Sequence, residues 1–235
     1  MQRRKFITAV GTIGVGSGMA LGTGAVDAVT SSNGDSSFRV VAPGADITID
    51  PPSSSSSPVE TGTSIDFGAL EIGDLPKVAV TDADGMVQIE VAVELGTTPG
   101  DVGTVFTVTN NSSTTAYDVG FTYTGYGETV TGGEYDTIDQ SVAQSAFQLI
   151  DGETDSSPST YSPTGGGTDP ANRFSLPNSS DSKEVALSID AGLSELTNNL
   201  GNDGTFDQDV SENDFSSTSY SLIEEVTANA QGSSQ

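Results

Sequence analysis

Residues 87–95, Val-Gln-Ile-Glu-Val-Ala-Val-Glu-Leu, alternate between apolar and polar side chains along nearly their whole length. An extended strand sends successive side chains to opposite faces, so a period of two is the mark of sheet and is incompatible with a helix stripe. Val87, Ile89, Val91, Val93 and Leu95 form one face, and Gln88, Glu90 and Glu94 the other. This predicts a strand with one side on a core and one side in water. The same period recurs in residues 47–49, where Ile47 and Ile49 oppose Asp46, Thr48 and Asp50. It recurs in residues 104–109, with Phe106 and Val108 opposite Val105, Thr107 and Thr109. In residues 117–124, Tyr117, Val119, Phe121 and Tyr123 share a face, and in residues 185–190 Val185, Leu187 and Ile189 do. Residues 38–41 complete the set of clear strand candidates.

Turn chemistry separates these runs. Thr97-Thr98-Pro99-Gly100 and Asn110-Asn111-Ser112-Ser113 are both rich in turn formers. Helical spacing of Val142, Ala143, Ala146, Phe147 and Ile150 predicts one short helix over 142–150, and Leu193, Leu196 and Leu200 suggest a second. Residues 151–170 and 201–215 read as long polar loops. Tyr220, Leu222 and Val226 fit strand and helix equally. About seven short alternating strands with turn-rich connections predict a mainly β chain. The expected architecture is an antiparallel β-sandwich, Ig-like or jelly-roll-like, with one or two short helices.

Charge narrows the setting. Thirty-three acidic residues stand against seven basic ones in 235 residues, a net charge of −26. Self-repulsion of that size destabilises a compact state in dilute buffer and is harmless where concentrated salt screens it within a few Å. Because the acids are interleaved with strand patterns, they predict a folded protein of a salty medium rather than a disordered tail. The same charge repels phosphate backbones and argues against a nucleic-acid partner. Histidine and cysteine are both absent. Disulfides, zinc sites of the usual kind, Ser-His-Asp triads and cysteine nucleophiles are therefore excluded. Paired carboxylates of the kind that hydrolyse glycosides remain open. No pair stands out among so many acids, and tryptophan is missing. The chain is read as a non-enzyme that needs no cofactor.

The first residues carry an address. Arg3 and Arg4 precede Lys5-Phe6-Ile7, followed by a weakly apolar, glycine-rich stretch over 9–26 and small residues ending at Ala28. This order resembles a twin-arginine export signal with Arg3, Arg4 and Phe6 as its recognised residues and cleavage after Ala28. The alternative is a basic start before an ordinary Sec signal or an uncleaved anchor. The stretch is too glycine-laden for a stable membrane span, so the mature chain is expected outside the cell or on its surface. The domain plan is then a signal over 1–28, an N-terminal strand segment over 29–50, a Pro/Ser-rich linker or loop over 51–64, a sandwich domain over 65–230, and a polar tail over 231–235.

The start Met1-Gln2-Arg3-Arg4-Lys5-Phe6-Ile7 and the run Gly103-Thr104-Val105-Phe106-Thr107-Val108-Thr109-Asn110-Asn111 together resemble a family of haloarchaeal secreted β-sandwich proteins of unknown function. They are more distantly similar to the TasA and camelysin-like proteins of extracellular fibres. The resemblance implies a sandwich fold, an extracellular address and self-association or association with other surface proteins. In TasA-like fibres an N-terminal segment of one subunit completes the sheet of its neighbour. The metallopeptidase class assigned to camelysins does not transfer, because no histidine exists to hold zinc.

Three candidate sites remain. Asp82 and Asp84, within Thr81-Asp82-Ala83-Asp84-Gly85, resemble the start of a calcium loop but lack its later ligands, and an Asp-Gly hairpin turn explains them as well. Asp207 and Asp209 belong to a second acidic group that could hold calcium or sodium loosely, but without chelating spacing it reads rather as a solvated loop. Asn110, Asn111 and Asn178 head glycosylation sequons in expected turns.

Overall fold

The computed structural model describes residues 6–9, 37–41, 46–66, 72–83, 86–94, 96–125, 140–152, 159–161, 172–194, 196, 223 and 225–234. The chain is mainly β, and its strands form two sheets packed face to face. The strands are β1 (Phe6–Ala9), β2 (Ser37–Val41), β3 (Ile47–Asp50), β4 (Val59–Thr61), β5 (Lys77–Ala83), β6 (Met86–Glu94), β7 (Gly100–Asn110) and β8 (Thr115–Gly125). After α1 (Gln140–Ala146) come β9 (Phe147–Asp151), β10 (Phe174–Leu176), β11 (Ser182–Ile189) and β12 (Glu225–Ser234). The large sheet runs β10-β8-β12-β2-β6-β5-β4, with β1 also on β6. The small sheet runs β3-β7-β11-β9. Pairing is antiparallel except for β2 with β12 and β4 with β5, which are parallel.

One core cluster joins both sheets. Phe106 of β7 meets Phe121 of β8 edge-on at 5.3 Å, and Phe174 of β10 lies 6.2 Å from Phe121. Tyr123 of β8 donates its hydroxyl to the carbonyl of Phe147 in β9, a polar link between the sheets. The faces expected for Val119, Phe121, Val185, Leu187 and Ile189 are buried as the alternation requires.

Several expectations are corrected by packing. Glu90 is only 4% exposed, because residues 62–66 fold over its side of the sheet and the Ile65 N–H donates to its carboxylate at 2.7 Å. Ala92 lies beneath the same cover with Ile65 and Ala79, so β6 is buried on both faces. In β7, Val185 stands opposite Phe106 while Ala186 stands opposite Thr104, which leaves Val105 as an extra residue. Such a bulge lets neighbours on one strand share a face, and Val105 and Phe106 are both fully buried. Gly103, two residues earlier, has φ of 106°, a conformation that favours glycine.

The stretch predicted as one helix over 142–150 splits at Ala146. Its second half pairs with β11, with Phe147 opposite Ile189 and Ile150 opposite Ala186. A seven-residue helix has little stability of its own, and the ladder takes the remaining residues. Of the three leucines expected on a second helix, Leu196 is fully buried and Leu193 packs partly buried against the core, while Leu200 and most of both long loops lie outside the described residues. One loop residue, Tyr161, is buried and donates to Asp151 at 2.7 Å. The polar tail is a strand instead: Gln231, Gly232, Ser233 and Ser234 pair with Asp118, Tyr117, Ala116 and Thr115. The Pro/Ser-rich segment over 51–64 is tied to the large sheet. Ser56 and Val59 exchange backbone hydrogen bonds of 2.9 and 2.6 Å, and Val59 is buried beside β5. The segment over 29–50 contributes one strand to each sheet, so the sandwich domain begins before residue 65.

Candidate functional site: a divided strand position on β6

The geometry that bears most directly on assembly lies along one edge of β6. On one side β5 covers β6 from Ala92 to Met86. On the other side two strands lie end to end. β1 pairs Phe6 with Glu94, Ile7 with Val93, Thr8 with Ala92 and Ala9 with Val91. β2 then pairs Ser37 with Glu90, Phe38 with Ile89, Arg39 with Gln88 and Val40 with Val87. Both run antiparallel to β6, so together they occupy a single strand position interrupted by residues 10–36. That interval holds the weakly apolar stretch and Ala28.

β2 is not an edge strand. Its other side pairs in parallel with β12, Glu225 to Arg39, Val226 to Val40 and Thr227 to Val41. Val40 and Val226 are both fully buried. Taking β2 away would divide the large sheet into a β10-β8-β12 half and a β6-β5-β4 half, each with a raw edge. An unpaired edge presents backbone N–H and C=O groups that demand partners.

The predicted site residues are scattered relative to this edge. Phe6 opens β1; Arg3, Arg4 and Ala28 lie outside the described residues. Asp82 lies near the end of β5, where Ala83 pairs with Met86 at the start of β6. Asp84, Asp207 and Asp209 lie outside the described residues, among which no group of three or more acidic side chains is placed to hold a metal ion.

The sequons differ sharply. Asn110 is fully buried at the end of β7. Its amide donates to the carbonyls of Thr115 at 2.9 Å and Leu176 at 3.0 Å, while its side-chain oxygen accepts the Ser112 N–H at 2.8 Å. It ties β7, β8 and β10 together, and its amide nitrogen is not presented to solvent. Asn111 and Asn178 are exposed, each with one side-chain amide bond, to Thr48 at 3.2 Å and Asp181 at 2.9 Å. Sequence reading marked Asn110 as a turn residue and missed its role as a brace. A hint was available in its place at the end of an alternating strand.

Acidic surface is balanced sparsely. Lys77 reaches Glu60 at 3.2 Å and Lys183 reaches Asp151 at 2.9 Å, while Arg173 donates to Gln231 at 2.8 Å. Tyr117 donates to Asp46 at 2.8 Å, fastening β8 to the residue that leads into β3. That hydrogen bond, with lesser contributions from burial and the Asp46 charge, raises the phenol above its ordinary pKa. A polar cavity of about 400 Å³ opens between the serine run and the small sheet, lined by Asp50, Ser56, Thr104, Thr107 and Glu184. Thr104 donates to Glu184 at 3.2 Å across it.

Among the described residues no helix is long and apolar enough to cross a membrane. No family model, curated protein or solved structure matches the chain.

Proposed function

We propose that this protein is an exported structural subunit of a halophile's cell surface, building an extracellular fibre or matrix by exchange of β2 between copies. The observation that carries the reading is the place of β2. It is the first strand after the expected cleavage point, yet it fills an interior position of the large sheet. A strand near a chain end exchanges at little topological cost, because only the segment before it must move. An interior position makes the exchange strong, because two ladders form at once. The charge of −26 fits assembly in concentrated salt, and the missing histidine and cysteine fit a non-catalytic role.

A second reading is a monomeric secreted binding module for sugar or cations. The cavity lined by Asp50, Ser56, Thr104, Thr107 and Glu184 favours it, since hydroxyls and carboxylates suit either ligand.

The test compares residues 29–235 with residues 42–235 in concentrated salt by electron microscopy and sedimentation. Exchange predicts filaments from the longer chain and none from the shorter. It also predicts that a synthetic peptide of residues 29–41 binds the shorter chain as a capped monomer. A longer chain that stays strictly monomeric at high concentration defeats the fibre reading and leaves the binding module.

A further inference from the structure

We propose that Asn111 and Asn178 carry N-linked oligosaccharides, and that these two sugars guard the outer strands β3 and β10 against lateral pairing with other chains. The inference rests on the export reading above, because such sugars belong to surface loops of secreted chains. It adds where modification falls and what it does to assembly.

Attachment consumes one N–H of a side-chain amide. The amide nitrogen bonds to the anomeric carbon of an activated glycosyl phosphate. The carbon–oxygen bond to the phosphate breaks, the phosphate leaves, and the amide gives up one proton. An acceptor therefore needs an uncommitted N–H and open space around it. Asn110 has neither, being fully buried with one amide hydrogen on the Thr115 carbonyl and the other on that of Leu176. The hydroxyl that its sequon requires, on Ser112, is buried too and accepts the Thr114 and Thr115 N–H groups at 3.4 and 3.2 Å. Asn111 is exposed, gives one N–H to Thr48, and has its sequon hydroxyl on exposed Ser113. Asn178 is exposed, gives one N–H to Asp181, and has its sequon hydroxyl on exposed Ser180. The N–H that remains after attachment is enough to keep each of those bonds.

The place of the two acceptors gives the sugars their effect. Backbone bonds from Ser180 to Asn110 at 2.6 Å and from Asn110 to Asp181 at 2.9 Å join the two turns at one end of the sandwich. β3 is an outermost strand of the small sheet, and the Asn111 N–H reaches the Asp46 carbonyl at its start, at 2.7 Å. β10 is an outermost strand of the large sheet, and Asn178 closely follows its last residue, Leu176. Open edges pair with other chains unless they are covered, shortened or charged. β10, Phe-Ser-Leu, carries no charge of its own. The net charge of −26 does not hold copies apart in concentrated salt, where screening acts within about 3 Å at 1 M. A bulky, hydrated sugar excludes a neighbouring strand at any ionic strength. Lateral pairing is thereby blocked, while β2, an interior strand, stays open to exchange.

The test takes protein from the culture medium of the native host and compares intact mass and sedimentation in concentrated salt. The variants are Asn111→Gln, Asn178→Gln, the two together, Ser112→Ala and Ser113→Ala. Each single asparagine variant and Ser113→Ala should lose the mass of one glycan, the double variant should lose two, and Ser112→Ala should lose none. Ser113→Ala leaves every asparagine in place, so its loss reports the sequon alone. The double variant should sediment as larger, laterally associated species with an unchanged circular dichroism spectrum. A secreted wild type without sugar at either position, or a loss on Ser112→Ala with none on Ser113→Ala, overturns the assignment and leaves the export reading standing. A double variant that sediments as wild type does, or that associates only with loss of its β spectrum, overturns the guard. A chain found only inside the cell and unmodified removes the export reading and the sugars together.

Discussion

Replacing Asn110 with alanine separates two roles that one sequon motif offers. The side chain makes three hydrogen bonds, to Thr115, Leu176 and Ser112, at 2.8 to 3.0 Å in a fully buried position. A typical internal hydrogen bond contributes about 1 kcal/mol net, and a buried group left without its partner costs about 1–3 kcal/mol. Asn110→Ala removes all three bonds and strands two carbonyls and one N–H, so a loss of about 3 kcal/mol is expected. Against a usual stability of about 5–15 kcal/mol that is a large fraction. For a domain of this size it lowers the melting temperature by about 6–12 °C. Asn110→Asp should cost more, because it turns carboxylate lone pairs toward the two carbonyls that accept hydrogen bonds from the Asn110 amide. Asn111→Ala is the control: it removes one bond to Thr48 at an exposed position, so its effect should stay within about 0.5 kcal/mol. The assay is urea and thermal unfolding followed by circular dichroism in concentrated salt, with intact mass measured on protein from the native host. Equal stabilities for the Asn110 and Asn111 variants would refute the brace. So would a drop in mass by one glycan on replacing Asn110.

Four further outcomes are expected. Lowering salt from 1 M to 0.1 M lengthens the screening distance from about 3 Å to about 10 Å, so a chain of charge −26 should expand or melt on dialysis. A circular dichroism spectrum unchanged at low salt would count against this. Tyr117 should titrate above the usual phenol value near 10, as its hydrogen bond to Asp46 requires. The folded chain holds that proton more tightly than the unfolded chain. Its stabilising contribution is therefore complete below the unfolded value and is lost as pH climbs past the raised one. Phenolate absorbance of wild type against Tyr117→Phe measures it, with no late-titrating tyrosine as the failing result. Ending the chain after Ala230 should cost on the order of 2 kcal/mol by stripping Thr115–Asp118 of ladder bonds, whereas a loose tail would be removed without effect. Gly232→Val should destabilise as well, because even a Cβ there would lie 2.9 Å from Thr115 and 3.2 Å from the Tyr117 ring.

The fold class was legible in the sequence because side-chain alternation is a local property of one strand. Val119, Phe121, Val185, Leu187 and Ile189 show their core face whatever they pair with, and all five are buried. The absence of histidine and cysteine was equally decisive, since no folding event supplies a missing functional group. Pairing was not legible, because it is a relation between backbones and leaves little trace in side chains. Gln231, Gly232, Ser233 and Ser234 look like a tail and form a ladder with β8. Phe147 looks like the continuation of a helix and begins a strand because β11 lies beside it. Glu90 reads as solvent-facing and is buried because a segment 25 residues earlier folds across it. Asn110 reads as a turn and is a brace because Leu176, 66 residues away, brings a carbonyl to its amide. The edge of β6 shared by β1 and β2 belongs with these. Phe6-Ile7-Thr8 has the residue types of a strand, but only the tertiary structure places it in the position that Ser37–Val41 continues, because a strand position is defined by its neighbours rather than by its own residues.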